Sequence, residues 1–493
     1  MHFRRTLAAA LAALMTLPLL AACADEKPSG AETPDTSTPV SQAEETTTDG
    51  GRAAAKDNLP PDLTLNGRTV TLFSYASCAV DTGTEEETGD NLNDAVYYRN
   101  LAVEERLDVD IRPLFSEATK WQDFASELRR TISAGDTSWD VVFAMGNSTI
   151  QSGNDDLFLD VSGNKYIDFD QPWWWKTAIE EVSFDGSTVR YMVGDLALSN
   201  FLRTMATFFN KKLYEDVYGD PDALYRMVID GKWTLDELQR LSAGAYNDLN
   251  GSGEEDEGDT FGYASADAIA LEYATDVQHY YRDERGYPVV EYDVDRAQTA
   301  VEKLIRLFYE TKGNIYGSVG EGYFTDGRLM FNTRMLLHAT SGSFREMKDD
   351  YGIVPTPKLD DTQKNYNTMI HNSSDYVAIP KGNPNPDEVG AVIEALCSES
   401  YRSVIELFFE TVMKTKYSRD ALSGQCIDII RDVTRKQFLY EYNSVVGSGL
   451  LITECVQNRN TNFASLYASK SSVSNRVIQK KINAIEKEKA AEK

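Results

Sequence analysis

Gly67-Arg68-Thr69-Val70-Thr71-Leu72-Phe73-Ser74-Tyr75 opens on a turn residue and then runs through β-branched and aromatic residues, the pattern of a strand. Working outward, Asp94 to Leu107 reads as a helix and Val109-Asp110-Ile111-Arg112 as a second, alternating strand. Trp121, Phe124, Leu128 and Ile132 then share one helical face that stops before Gly135. Trp139-Asp140-Val141-Val142-Phe143-Ala144 follows as a near-continuous apolar strand. A β-α-β-α-β order with strands of this buried type predicts a mostly parallel sheet covered by helices.

The same α/β alternation continues to the end of the chain. Thr234-Leu235-Asp236-Glu237 is a capping box, in which the hydroxyl and the carboxylate each satisfy an orphan amide at a helix start. Asp295 precedes a helix lined by Val301, Leu304, Ile305 and Phe308 and closed by Gly313. Pro386, after Asn385, opens a long helical stretch through Val389, Val392, Ile393, Leu396, Val404, Leu407, Phe408 and Val412. Val473, Val477, Ile478, Ile482 and Ile485 form a last helical face before a charged tail. There is no internal repeat. From about Leu63 onward the pattern is too long for one sheet with short loops, so two α/β lobes are expected.

The chain has 493 residues, with 49 Lys and Arg against 78 Asp and Glu, a formal charge of −29. Such a balance leaves no basic face for phosphates, which excludes charge-driven binding of nucleic acid or of an anionic membrane surface. The four histidines are scattered, which disfavours chemistry built on several of them. At the amino terminus Arg4 and Arg5 precede an apolar run from Thr6 to Ala22, ending in Leu20-Ala21-Ala22-Cys23. This resembles the lipobox of bacterial lipoproteins, which implies a signal peptide over residues 1–22 and a diacylglycerol anchor on Cys23. Residues 23–62, rich in small, polar and acidic residues, cannot bury enough apolar surface to offset their ordering entropy and are expected to form a disordered tether. Cys78, Cys397, Cys426 and Cys455 show no metal-ligand spacing, and Cys426–Cys455 is the one disulfide left open.

Several phrases occur in order along the body: Phe208-Phe209-Asn210-Lys211-Lys212-Leu213-Tyr214 after Gly194-Asp195, Trp233-Thr234-Leu235-Asp236-Glu237-Leu238, Tyr323-Phe324-Thr325-Asp326-Gly327-Arg328-Leu329-Met330-Phe331, and Tyr351-Gly352-Ile353-Val354-Pro355-Thr356-Pro357-Lys358-Leu359. Together they resemble the extracellular solute-binding protein family 1, the carbohydrate-binding lipoproteins of ABC importers. The resemblance implies a type 2 periplasmic-binding fold of two discontinuous lobes joined by crossing segments near Asp195–Thr207, Tyr323–Phe331 and Ser373–Ile379. It places lobe one at 63–199 plus 326–376 and lobe two at 200–325 plus 377–493. It further implies a monomer on the extracytoplasmic face of the bacterial membrane, held there through Cys23, that delivers a sugar to ABC importer permease subunits. Capture of a peptide or other solute, presentation of a ligand to a sensor, and an anchored glycoside hydrolase remain as alternatives. No GxSxG, HExxH or P-loop motif is present, so no catalytic residue is expected.

Sites for neutral sugars combine aromatic faces with planar polar side chains, and open α/β sheets bind ligands beyond the carboxyl ends of their strands. These rules single out Tyr75 and Ser77 after the first strand, Asn147 after Phe143, and Trp173 and Trp174 within the Pro172-Trp173-Trp174-Trp175 run. Arg203 in the first crossing segment and Arg334, Ser341 and Asp375 in the returning segments complete the set. Separately, Asp248, Asn250, Ser252, Glu254, Asp256 and Asp259 follow a calcium-loop spacing, with Gly253 at the bend. Position twelve holds Asp where the usual bidentate ligand is Glu. The pattern suggests a structural calcium ion far from the sugar; no cofactor is required.

Overall fold

Val141–Met145 is buried at every residue, which is what a strand covered on both faces requires. In the computed structural model, which describes residues 51–340, 342–409, 413 and 421–491, it lies inside a four-stranded sheet. The order is Asp375–Ala378, Val141–Met145, Arg68–Tyr75, Val109–Ser116. Arg68–Tyr75 pairs in parallel with both neighbours, with Val70 opposite Ile111 and Leu72 opposite Val141. Asp375–Ala378 adds antiparallel to Val141–Met145. The strand from Val109 runs on to Ser116, through Pro113, which the sheet edge tolerates because one side of an edge strand has no ladder partner. Asn91–Leu107 covers this sheet, started by the Asp90 carboxylate, which accepts from the backbone N–H groups of Leu92 and Asn93.

A second, five-stranded sheet is ordered Tyr351–Val354, Met205–Asn210, Leu329–Met335, Phe261–Ser265, Asn314–Tyr316. Met205–Asn210 pairs antiparallel with both neighbours, whereas Phe261–Ser265 pairs in parallel with both of its own. Half of the expected capping box forms: the Thr234 hydroxyl accepts from the Glu237 N–H at 3.4 Å, while the Glu237 carboxylate takes Arg240. The cap of helix Val294–Ile305 is Asp293, two residues before the expected Asp295, which sits in the first turn.

This sheet membership corrects the expected lobe boundaries. Leu329–Met335 and Tyr351–Val354, assigned to lobe one, are strands of the second sheet, and Val377 and Ala378, assigned to lobe two, continue a strand of the first. Helix Pro386–Glu399 also packs on Asn91–Leu107 beside the first sheet. Helix Ala421–Val433 returns to the second, against Asp222–Ile229 and Tyr351–Val354. Alternation in a sequence identifies a strand; it does not say which sheet a returning strand will join.

Two further expectations change. Residues 51–62, read as the end of the tether, pack on the first lobe: Leu59 is 5% exposed and belongs to its core. The Asp57 carboxylate takes Arg106 Nη2 at 2.6 Å and Ser398 Oγ at 3.0 Å, and Arg402 donates to the Ala55 carbonyl. The body therefore starts near Arg52. Cys78, Cys397, Cys426 and Cys455 are all buried and none is joined in a disulfide, so the open Cys426–Cys455 bridge does not form. Among the described residues no helix is long and apolar enough to cross a membrane. The signal peptide, Cys23 and most of the tether lie outside the described residues.

Candidate functional site

The carboxyl ends of the parallel strands set the site. Arg68–Tyr75 ends at Tyr75, whose ring rests 5.4 Å from that of Phe124, and the chain turns at once through Ala76–Cys78, which contains Ser77. Val141–Met145 ends at Gly146 and Asn147. Val109–Ser116 ends at Phe115 and Ser116, and four residues later helix Trp121–Ser133 begins. The Ser148 hydroxyl donates to the Trp121 carbonyl at 3.2 Å, tying the turn after one strand to the helix after another. Phe115 and Trp121 are each 36% exposed, large aromatic surfaces left open at the end of the sheet where ligands bind.

Beyond this edge the chain passes between the two sheets, and the passing segments are stitched side by side. The His371 N–H donates to the Arg203 carbonyl at 2.9 Å, and the Leu336 N–H donates to the Thr204 carbonyl at 2.9 Å. The Asp375 N–H donates to Ser199 Oγ at 3.0 Å, and the Asn147 N–H reaches the Asn372 carbonyl at 3.1 Å. The expected crossings near Asp195–Thr207 and Ser373–Ile379 therefore sit in this seam, the second of them centred a few residues earlier. The one expected near Tyr323–Phe331 does not cross, since Leu329–Met335 is inside the second sheet.

Several predicted residues meet here. Asn147 is half-buried in the seam, its carbonyl accepting from Ser152 Oγ at 2.7 Å. Arg203 is half-buried and its charge faces His371, which burial and that charge hold down at about 4, so the imidazole is neutral at pH 7. Asp375 reaches the seam but is fully buried, its carboxyl turned inward toward Asp81. Arg334 is committed elsewhere: it is 7% exposed, donates to Glu321 at 3.0 Å and lies 3.0 Å from His338 Nε2. Ser341 lies outside the described residues.

Trp173 and Trp174 are a correction. Both are core residues, and their indole N–H groups donate to the two carboxylate oxygens of the buried Glu394, at 3.0 and 2.8 Å. Trp175 gives its N–H to Asp195 at 2.7 Å. The three tryptophans are thus a clamp fastening their segment to helix Pro386–Glu399 and to the start of the first crossing. Burial pushes both Glu394 and Asp195 up to about 7.

The floor of the seam holds groups that the sequence reading missed. Lys436 and Glu441 are wholly buried 3.7 Å apart, with Lys436 Nζ donating to Ser374 Oγ at 2.5 Å and lying 4.4 Å from the centre of the Tyr376 ring. Gln151 donates to the Tyr440 carbonyl at 3.2 Å, and a Cβ on Gly146 would come within 2.4 Å of Glu441 Oε2, so only glycine fits there. Trp121 was missed because, as the first residue of an amphipathic run, its ring was counted with the buried face.

The acidic loop lies apart from this seam and closes on itself. The Asp248 carboxylate accepts from the N–H groups of Gly251, Ser252 and Gly253, and Asp256 accepts from Asn250 and Ser252. Asp259 is buried and accepts from the Tyr246 hydroxyl at 2.9 Å. Among the described residues no three acidic, histidine or cysteine side chains converge as a metal would need. The loop's acids are taken up by hydrogen bonds within the loop, and no step below passes through a metal.

The model of the bacterial extracellular solute-binding protein family matches residues 89–402, more than half of the chain. No curated protein matches it. Among solved structures, the cyclic alpha-maltosyl-1,6-maltose binding protein of Arthrobacter globiformis is similar at 14% identity and a TM-score of 0.57, covering 84% of this chain and 100% of its own. A solute-binding protein of Thermotoga lettingae bound with alpha-D-tagatose aligns at 12% identity and a TM-score of 0.53, covering 84% and 100%. UgpB from Mycobacterium tuberculosis in complex with glycerophosphocholine aligns at 14% and 0.51, covering 86% and 99%. At these identities the likeness speaks for the fold: the two-lobed arrangement of periplasmic binding proteins.

Proposed function

This chain belongs to the bacterial extracellular solute-binding protein family, and we propose that it captures a sugar or oligosaccharide at the strand ends described above and hands it to an ABC importer. The observation that carries the proposal is the open aromatic face of Trp121, whose carbonyl is tied to Ser148 next to the seam amide Asn147, with the half-buried Tyr75 packed on the same helix through Phe124. Sugar C–H faces stack on such rings while hydroxyls pair with amides and guanidinium groups. The fold of the proteins aligned above, two of them named for saccharide ligands, supports the same reading.

The mechanism follows from the seam. A ligand seated on the strand ends of one lobe meets Arg203 and the second lobe's residues only when the lobes approach. It therefore shifts an open–closed equilibrium by its differential affinity for the closed form. The His371 ring lies 2.8 Å from Ser373 Oγ in the seam, through Nδ1, which also accepts from the Ser373 N–H; the proposal gives this contact a structural role and includes no turnover. Anchoring through Cys23 and a monomeric state belong to the same proposal, as does a loop Asp248–Asp259 that keeps its shape without calcium.

The test is a thermal-shift screen of the purified protein against a panel of mono- and oligosaccharides, with Trp121→Ala in parallel. Saturation at about 100 times Kd stabilises a binding protein by about 2.7 kcal/mol. Loss of one stacking ring removes about 1 kcal/mol, about fivefold in Kd. A peptide panel run alongside distinguishes solute classes.

A further inference from the structure

Asp81 and Asp375 are almost 300 residues apart in the chain and meet where the first crossing leaves the first lobe. Asp81 lies in the short helical turn after the first strand, and Asp375 opens the last strand of the same sheet. Both are fully buried. Ser199 joins them: its backbone N–H donates to Asp81 Oδ1 at 2.7 Å, and its hydroxyl oxygen accepts from the Asp375 N–H at 3.0 Å. Of the four carboxyl oxygens, Asp81 Oδ2 and both oxygens of Asp375 have no N–H or O–H donor among the described residues, the Cys78 thiol being the one weak donor against Asp375. The two side chains are placed to hydrogen-bond to each other.

Two carboxylates cannot both stay ionised at such a contact when fully buried, and a carboxylate oxygen cannot donate to another. We propose that Asp81 and Asp375 share one proton, one carboxyl donating its O–H to the other carboxylate, and that this pair is a proton-dependent latch between the first strand's turn and the returning crossing segment. Its net charge is then −1, and the groups that face it are arranged around that charge. The Arg99 guanidinium, buried and donating to the Asp81 carbonyl at 2.9 Å, faces Asp81 from helix Asn91–Leu107. Arg203 on the first crossing and Lys436 on the segment beneath Ser374 face Asp375, and the Cys78 thiol lies against it from the turn after the first strand. Burial agrees with the assignment: it pushes Asp81 up to about 6 and Asp375 well above the usual carboxylate range.

Removing the shared proton leaves two charges in contact, so raising the pH loosens the latch. An Asp whose folded value is raised holds its proton after the unfolded chain has lost it, and stability falls as pH rises from about 4 toward the folded value. Asparagine at either position supplies a permanent N–H donor in place of the proton.

The experiment compares thermal and urea unfolding of the full chain and of Asp375→Asn and Asp81→Asn from pH 5 to 8, with infrared spectra of the carboxyl region at pH 7. The expected result is that either variant gains on the wild type by about tenfold in unfolding equilibrium constant per pH unit until the folded value is passed. A protonated-carboxyl band that vanishes in both variants is also expected. A variant-to-wild-type ratio independent of pH, or no protonated-carboxyl band assignable to either residue in the wild type, would overturn the proposal. The infrared arm uses the wild type and so stands even where a variant does not fold.

Discussion

Replacing Glu394 with alanine tests the reading of the tryptophan run most severely. Its carboxylate receives the indole N–H groups of Trp173 at 3.0 Å and Trp174 at 2.8 Å, and the N–H of Asp168 at 3.3 Å. With the carboxylate gone, two buried indole donors lose the acceptor they have among the described residues, and each orphaned donor costs about 1–3 kcal/mol. The sum, about 2–6 kcal/mol, is a large share of the roughly 5–15 kcal/mol that holds a folded protein. Glu394→Gln keeps one acceptor oxygen but turns an amide N–H toward the second indole, so its loss should be about half. The effect also has a pH sign. Glu394 is pushed up to about 7, above its unfolded value, so its protonation stabilises the fold at low pH and that contribution is lost as pH rises toward 7. Glutamine does not titrate, and its deficit should therefore be larger at pH 5 than at pH 8. Urea unfolding followed by tryptophan fluorescence measures both quantities. An alanine variant within about 1 kcal/mol of wild type would refute the clamp, because exposed or ligand-facing tryptophans would not register the change.

Leu59→Ala should cost about 2–4 kcal/mol, the usual loss for a buried leucine, where a residue in a free tether would cost nothing; thermal unfolding checks this. His371 is held neutral at about 4, below its unfolded value, so it contributes stability above pH 6.5 that is lost as pH falls toward 4. His371→Asn should flatten that acid limb in a pH series of melting curves, and an unchanged limb would contradict the assignment. Calcium added to chelator-treated protein should leave the melting temperature unchanged, since the loop's acids already accept from its own N–H groups. A calcium-dependent rise would show that the loop rearranges to bind the ion.

The first sheet was legible because each of its early strands carries its signal locally: Val141–Met145 is apolar throughout, and Arg68–Tyr75 alternates into a turn. The helix cap at Thr234 was legible for the same reason. What failed depended on partners distant in sequence. Trp173 and Trp174 look like ligand platforms until Glu394, over 200 residues later, supplies their acceptor. Asp375 looks like a sugar ligand until Asp81 and Ser199 arrive beside it. Leu59, a lone leucine in a polar stretch, carries no periodic signal, yet the first lobe has a place for it. Trp121 carried a signal that pointed the wrong way, since amphipathic spacing marks a buried face and the first turn of a helix stands at its open end. Of the residues read as site members, Tyr75, Asn147 and Arg203 stand at the strand ends and the seam, while Trp173 and Trp174 are held in the core.

The central claim is that a saccharide binds at those strand ends and is not turned over. Calorimetric titration of the wild type and of Trp121→Ala with the strongest hit of the glycan panel tests it most directly, with the same mixtures assayed for new reducing ends. The account predicts saturable binding by the wild type, binding about fivefold weaker by the variant at unchanged stability, and an intact saccharide after incubation. A panel without any binder, equal affinity in the two proteins, or release of reducing ends would contradict it.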